Sequence, residues 1–241
     1  MKLHFFHRFN KKPHIALFFI ILLFGNCKKD VPDNVIEIEY LQSNILYDNE
    51  GNIYKTVVIG NQEWMAENLN TSVHTYGYSN CYGDLPENCT KYGRLYTIEA
   101  VMNGQPPSLY NPSGIRGICP AGWHIPSDAE WRQLEVFLGM TPDDALSTGW
   151  RGTDQGTKLK SVSGWINNGN GTNNYGFTAL PGGQIAPVLG WTGLGSIGGW
   201  WTSSAIDGDK DVYRSLKNNQ SCIYRSSLSQ NMGFSVRCVK N

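Results

Sequence analysis

One well-marked helix, followed by a long stretch with no helical period, constrains the fold more than any other feature of this sequence. Ser127 can cap the helix, Glu130 stands at the position of its capping-box partner, and an apolar stripe runs to Leu138. After Gly139 the chain is a succession of Gly, Asn, Ser and Trp until strand-like sequence returns at Trp200. This pattern favours a single loop-rich domain that combines helices with strands.

Other segments carry weaker signals of regular structure. Residues 94–102 have apolar side chains at helical spacing before Asn103 and Gly104, which predicts a second helix. Residues 53–59 alternate between apolar and polar and end at a turn-prone Gly60, which is typical of a hairpin. A three-stranded meander is predicted near the end of the chain, from residues 212–217, 221–226 and 233–240.

The first 26 residues have the order of features that an export signal requires. Basic residues between Lys2 and Lys12 precede the ten apolar residues 15–24. Ten are too few to span a membrane, which takes about 20. Cys27 follows directly and resembles the lipidated cysteine of bacterial lipoproteins. Because Phe24 and Asn26 differ from the usual residues of that motif, plain secretion with a spare cysteine is the alternative.

We therefore expect three parts: a signal peptide at 1–26, a lipidated tether at 27–45 and a globular domain at 46–241. We expect the protein in the cell envelope, anchored to the outer membrane through the lipid on Cys27. The sequence leaves open whether the domain is on the periplasmic or the surface face of that membrane. The chain has 20 basic and 20 acidic residues. Four of the basic ones and no acidic ones precede Cys27, so the mature chain has 16 against 20, a net charge of about −4. Nucleic acid is therefore not an expected partner.

Six segments of the sequence, in order, resemble the Fibrobacter succinogenes major paralogous domain, which occurs in lipoproteins and secreted proteins of Fibrobacter and Bacteroidetes. They are GNIYKTVVIGNQEWMAENLN (51–70), YGRLY (92–96), CPAGWHIPSDAEW (119–131), GFTALPGG (176–183), WWTSS (200–204) and GFSVRCV (233–239).

A more distant resemblance bears on the fold class. HIPSDAEWRQL (124–134), GGWW (198–201) and GFSVR (233–237) are similar to segments of the formylglycine-generating enzyme and sulfatase-modifying family. This resemblance implies a C-type-lectin-like α+β fold, with two helices, twisted antiparallel sheets and long loops rich in Gly and Trp. The oxidases of that family carry a closely spaced cysteine pair where this chain has only Cys222, so we do not expect an enzyme.

Apart from the predicted lipidation site, the chain has five cysteines, an odd number. Cys119 and Cys238 occupy matched positions of the resembled family, which implies a disulfide between them. Cys81 and Cys89 are then expected to close a local loop, which leaves Cys222 free. The sequence leaves open an exchange of partners among Cys119, Cys222 and Cys238.

Motifs for catalysis or for metal binding are absent from the sequence. No C-x-x-C occurs, and we expect neither a metal nor a cofactor. His124 is expected to pack at a helix entrance, with an acid–base role as the alternative. The run from Asp207 to Asp211 has carboxylates at alternate positions. A solvated turn is the favoured interpretation there and a calcium loop the alternative.

What remains is a set of aromatic and amide side chains suited to binding a sugar or a protein. They are Trp191, Trp200, Trp201, Tyr213 and Tyr224, with Asn173, Asn174 and Gln184. We predict a ligand surface formed by loops 182–201 and the neighbouring strand, with Trp191, Trp201, Tyr213 and Arg214 in contact with the ligand. The alternative is that these rings belong to the core. A binding module for glycan or protein is thus expected, with a structural envelope protein or an enzyme as alternatives.

Overall fold

We analysed a computed structural model of the chain, which describes residues 45–208, 210–229 and 232–241. The predicted signal peptide, Cys27 and the tether as far as residue 44 lie outside the described residues. Among the residues described, no helix is both long enough and apolar enough to cross a membrane.

The described residues form thirteen β-strands and five α-helices. The strands are β1 (Ile45–Tyr47), β2 (Ile53–Ile59), β3 (Gln62–Met65), β4 (Ser79–Asn80), β5 (Leu95–Tyr96), β6 (Trp123–His124), β7 (Gly149–Arg151), β8 (Gly182–Ala186), β9 (Gly190–Leu194), β10 (Ile197–Ile206), β11 (Lys210–Lys217), β12 (Ile223–Leu228) and β13 (Val239–Lys240). The helices are α1 (Pro86–Tyr92), α2 (Ile98–Met102), α3 (Asp128–Phe137), α4 (Pro142–Leu146) and α5 (Gln155–Leu159). The α+β class expected from the sequence is confirmed.

The strands assemble into two main sheets and one small one. A five-stranded sheet has the order β1-β2-β3-β13-β6, and a six-stranded sheet has the order β7-β12-β11-β10-β8-β9. β4 and β5 form a separate pair. Neighbouring strands are antiparallel except β8 and β10, which are parallel. Strands from both ends of the domain meet in the five-stranded sheet, since β13 pairs with β3.

The predicted hairpin forms as β2 and β3. Tyr54 and Thr56 are buried, whereas Lys55 between them is exposed, because alternate side chains of a strand point to opposite faces. Gly60 makes the turn with a φ of +62°, and a Cβ there would lie 2.9 Å from the ring of Phe137. Glycine suits this position on both counts.

The capping box predicted for α3 is also present. Glu130 donates its backbone N–H to the Ser127 hydroxyl at 3.2 Å, and its carboxylate accepts the Ser127 N–H at 2.9 Å. The helix buries Trp131 and Leu134 against the six-stranded sheet. Trp131 packs there in a cluster of fully buried rings, whose other members are Trp64, Phe177 and Trp200, with centroids between 5.0 and 6.4 Å apart.

Two disulfides hold the loops to this framework. Cys81 is bonded to Cys89, and Cys119 is bonded to Cys238. Both pairs agree with the sequence analysis, and Cys222 is free. The second bridge ties the segment before β6 to the end of the chain.

Two local predictions need correction. Five helices form where two were expected, and the helix predicted over 94–102 begins only at Ile98. Leu95 and Tyr96 are extended because they pair with β4, and Tyr96 also bridges to Phe234. These tertiary contacts outweigh the helical spacing of the local sequence.

The predicted meander is only partly correct. β11 and β12 pair as expected, but residues 233–240 do not pair with β12: Gly233 bridges to Ile185 on β8 and Ser235 to Trp200 on β10. Val239 pairs with Trp64 on one side and His124 on the other. Consequently the last segment is buried on both faces, and β12 pairs instead with β7.

Candidate functional site

A groove lies on the outer face of the six-stranded sheet, the face turned away from α3. Its volume is about 310 Å³. The groove is lined by Trp150, Gln184, Ile197, Tyr213, Ser215, Lys217 and Tyr224. These residues come from five strands, so a rigid sheet rather than a loop holds them in place.

Three aromatic rings form a row along this groove. Trp150 on β7 lies directly opposite Tyr224 on β12, and their ring centroids are 5.0 Å apart. Tyr213 on β11 continues the row, 6.1 Å from Tyr224. Such spacings are typical of rings in favourable contact across neighbouring strands.

The strand alternation that exposes these rings also buries arginines. Each ring is followed by an arginine in the sequence, as Trp150–Arg151, Tyr213–Arg214 and Tyr224–Arg225. Since successive side chains point to opposite faces of a sheet, the aromatic residues line the groove while the arginines lie against α3. All three arginines are buried.

A network of ion pairs fixes these arginines beneath the groove. Arg151 makes two hydrogen bonds to Glu135, at 2.6 and 2.8 Å, and Arg225 makes two to Asp128, at 2.7 and 2.8 Å. Arg214 lies between them, 2.6 Å from Glu135 and 2.8 Å from Asp128. Paired bonds of this kind impose orientation on a guanidinium as well as contributing energy. The network therefore ties the three strands that carry the aromatic row to a single helix.

The network also determines the charge state of Asp128. Burial alone raises the pKa of Asp128, but hydrogen bonds and charges from Arg225 and Arg214 outweigh this and hold the pKa well below its usual range. The carboxylate therefore stays ionised at neutral pH.

The matched region of the sequence contains every residue of this groove. The model of the Fibrobacter succinogenes major domain family matches residues 57–240. The chain belongs to this family. The family resemblance predicted from the sequence is thus confirmed, while the distant one to the formylglycine-generating enzymes stays a prediction. No curated protein and no solved structure matches the chain.

In this Fibrobacter succinogenes major domain, two of the four predicted ligand residues are buried. Trp201 is 0% exposed, its indole N–H donates to the Tyr96 carbonyl at 2.7 Å, and its ring lies 4.8 Å from that of Phe234. Arg214 is likewise 0% exposed and is held in the ion-pair network. Their predicted ligand contacts are therefore corrected, because neither side chain has surface for a ligand to touch.

The other two predicted residues are separated by the fold. Tyr213 lines the groove, and its ring also stacks on Phe234 at 4.8 Å. Trp191 is paired with Ile185, next to the Gln184 and Thr192 pair, so it lies on the opposite face of the β8–β9 hairpin from Gln184. There its ring contacts Tyr82 at 5.6 Å. Trp191 is thus not part of the groove.

The sequence analysis named Tyr213, Tyr224 and Gln184 but not the other four groove residues, which are Trp150, Ile197, Ser215 and Lys217. The repeated dipeptide of an aromatic residue followed by arginine would have found Trp150. No comparable pattern marks Lys217, which reaches the groove only because β11 continues past Ser215.

A second, larger cleft of about 590 Å³ lies elsewhere on this domain. Its walls are mainly apolar and include Ile98, Met102 and Pro106, and Tyr76 is the only aromatic residue among the described residues that line it. The cleft therefore lacks the row of rings that distinguishes the groove.

His124, the candidate acid–base residue, is buried and fully engaged. Its Nε2 lies 2.6 Å from the Glu130 carboxylate and its Nδ1 lies 2.7 Å from the Asn241 side-chain oxygen. Burial alone lowers the pKa of His124, but the hydrogen bond and charge of Glu130 outweigh it and raise the pKa. Both ring nitrogens of His124 are thus engaged by groups of the protein itself.

Within the acidic run, Asp207 and Gly208 form a turn and Asp211 lies in β11. Asp207 lies 3.6 Å from the ammonium group of Lys210, and residue 209 lies outside the described residues. Across the described part of the chain, no three His, Cys, Asp or Glu side chains are grouped closely enough to hold a metal ion.

Proposed function

We propose that this chain is a non-catalytic, membrane-anchored lipoprotein of the cell envelope, and that its Fibrobacter succinogenes major domain binds carbohydrate in the groove. The observation that carries the proposal is the row of three rings, Trp150, Tyr224 and Tyr213, on an open sheet face. The apolar C–H face of a sugar ring stacks on an aromatic ring, and the row provides several such positions.

The polar groups of the groove are suited to hydrogen bonds with the hydroxyl groups of a sugar. Gln184 supplies an amide and Ser215 a hydroxyl, so the groove has both donors and acceptors for sugar hydroxyls. Its volume of about 310 Å³ lies at the lower end of the range of about 300–1,000 Å³ that small-molecule sites occupy. A few polar groups beside apolar surface are the usual composition of such sites.

The C-type-lectin-like fold is part of this proposal. It is supported by the pairing of β3 with β13, which joins strands from the two ends of the domain. It is supported further by the long stretch between α5 and β8, which has an isolated bridge but no helix or strand. A scaffold with long loops and a rigid sheet is well suited to recognition.

The proposal excludes catalysis because the candidate chemical groups are engaged in structure. His124 and Glu130 are bonded to each other and buried. The described residues that line the groove include no carboxylate, imidazole or thiol. Glycoside hydrolysis ordinarily uses a pair of carboxylates that flank the scissile bond, so a groove without them fits sugar binding better than sugar cleavage.

Anchoring is proposed through Cys27, with the tether holding the domain off the outer membrane. The thiol is the only group that can accept the diacylglycerol, so Cys27→Ser is expected to abolish lipidation. Metabolic labelling with radioactive palmitate and partition into detergent measure the effect. A mutant that still incorporates the label would disprove the assignment, and Cys222→Ser, which removes the free thiol of the domain, serves as the matched control.

A glycan array tests the binding function directly. We would probe it with the mature chain made without lipid, residues 28–241, and with the variants Trp150→Ala and Tyr224→Ala. Tyr110→Ala is the control, because Tyr110 is 80% exposed and does not line the groove.

The proposal predicts a restricted set of glycans that bind the parent chain and the control but neither groove variant. Binding of no glycan, or binding that survives both groove variants, would overturn it. Capture of a protein partner in the absence of any glycan signal would favour adhesion instead.

A further inference from the structure

Among the described residues that line the groove, Lys217 alone is charged. Its ammonium group lies over the Trp150 ring, 5.9 Å from the ring centroid, so a ligand that stacks on that face moves the flexible lysine side chain to one side. The side chain is exposed and forms no ion pair with any residue that the structure describes. A ligand ring stacked on Trp150 would therefore lie next to an unneutralised positive charge.

The charge beneath the groove has the same sign. The buried network contains three guanidinium groups, those of Arg151, Arg214 and Arg225, but only two carboxylates. The excess is one positive charge. It lies on the inner face of the same three strands that carry the aromatic row.

A further lysine adds to this excess from below the end of β11. Lys160 is buried, and its ammonium group donates to the backbone carbonyls of Lys217 and Gln220, at 3.3 and 3.0 Å. No carboxylate of the described residues pairs with it. Because buried charges are screened less than exposed ones, their field extends to a ligand on the other side of the sheet.

We propose that the groove selects acidic saccharides, with the carboxylate of a uronic acid paired to Lys217 while its ring stacks on Trp150. This inference rests on the proposed carbohydrate-binding function and names the class of sugar. It follows from the joint presence of a stacking platform, one unpaired cation beside it and no carboxylate in the lining. The charge of Lys217 provides the preference for an acidic sugar, and stacking on Trp150 provides binding that does not depend on that charge.

The test compares each uronate with its own methyl ester, which keeps the ring and removes the charge. Calorimetry of the mature chain with trisaccharides of galacturonate, glucuronate and mannuronate, and with their esters, would measure both affinities at low and at high salt. We expect at least one acid to bind about tenfold more tightly than its ester at low salt, as one charge-assisted contact would give. The preference should shrink at high salt because Lys217 is exposed.

Three lysine variants separate this contact from general attraction. Lys217→Gln should abolish the preference for the acid but leave binding of the ester, whereas Lys217→Arg should retain the preference. Lys210→Gln removes a positive charge from the same strand, but Lys210 does not line the groove. This variant should therefore bind the acid and the ester with the affinities of the parent chain.

The outcomes also separate this inference from the proposed function. Equal affinity for acid and ester, or an acid preference that survives Lys217→Gln, overturns the acidic class while carbohydrate binding stands. If Trp150→Ala binds neither the acid nor the ester, the result supports both the carbohydrate-binding function and the acidic class of sugar. A sulfated glycan that binds as tightly as the best uronate, and weakens as much in Lys210→Gln as in Lys217→Gln, would mean non-specific attraction and would overturn the inference.

Discussion

The two faces of the six-stranded sheet are built from alternate residues of the same strands, yet they have opposite characters. The outer face carries Trp150, Tyr213 and Tyr224 on open surface, and the inner face carries arginines held by two carboxylates of α3. Because the inner ion pairs are buried, the loss of one partner would leave an uncompensated charge inside the protein. Partial exposure leaves the outer rings available for a ligand. The difference suggests that a fixed inner layer is what holds the outer row in register.

Replacing a buried arginine should have the largest effect. In Arg214→Met the carboxylates of Asp128 and Glu135 each lose a partner inside the protein, and the free energy of unfolding should fall by about 3–5 kcal/mol. Urea denaturation measures it. The control is Arg132→Met, since Arg132 also approaches Asp128, at 3.4 Å, but its side chain is 32% exposed. That variant should lose less than about 1 kcal/mol. Equal losses in the two variants would contradict the contrast between the faces.

Truncating an outer ring should affect binding more than stability. Trp150 is 36% exposed and contacts Tyr224, so Trp150→Ala should lower the free energy of unfolding by about 1–2 kcal/mol while weakening glycan binding by about 1–3 kcal/mol. Trp201→Ala is the matched variant from the core and should lose about 3–5 kcal/mol of stability. Thermal melting and calorimetry of both variants separate the two roles. A Trp150→Ala protein that unfolds as readily as Trp201→Ala would place Trp150 in the core.

Acid should weaken the inner face by a smaller amount. The pKa of Asp128 is held below its usual value in the folded state, so its contribution to stability is complete above the unfolded pKa of about 4 and is lost as the pH falls towards the folded pKa. We expect a loss on the order of 1 kcal/mol between about pH 4 and pH 2 that is missing from Asp128→Asn.

Urea titrations at several pH values provide the measurement for this loss. Asp154→Asn is the control, because Asp154 pairs with Lys158 at an exposed site. If Asp128→Asn retains the full acid sensitivity of the parent, another carboxylate is responsible and the buried network does not control the acid response.

Local signals in the sequence were sufficient for the elements that depend on neighbours in the chain. The hairpin at 53–59 and the capping box of Ser127 and Glu130 formed as predicted, because turn chemistry and capping act over three or four residues. The α+β class followed from the same signals. The proposal of a C-type-lectin-like fold within that class came only from the resemblance to the formylglycine-generating enzyme family.

The sequence was insufficient where a choice depended on distant partners. Residues 233–240 were predicted as a third strand of a meander, but alternation does not identify the neighbouring strand. The start of the segment bridges to β8 and β10, and its end pairs with β3 and β6. The candidate site shows a different limit. Tyr213 and Arg214 were predicted to share a surface, although adjacent residues of a strand point to opposite faces. The position of α3 determines which of the two faces is buried, and that position is not evident from the sequence.

The smallest effect is expected at Tyr213, which belongs to both regions. Its ring lines the groove and stacks on the buried Phe234, so the ring serves binding and folding together. Tyr213→Phe keeps the ring and removes only the hydroxyl, and we expect losses of at most about 1 kcal/mol in both stability and glycan affinity. Tyr213→Ala, in contrast, should lower both quantities by more, since it removes the stack as well. Calorimetry and urea denaturation of the two variants give the comparison. If Tyr213→Phe abolishes binding while leaving stability intact, the hydroxyl rather than the stacking surface makes the decisive ligand contact at this position, and the row of rings would no longer explain recognition there.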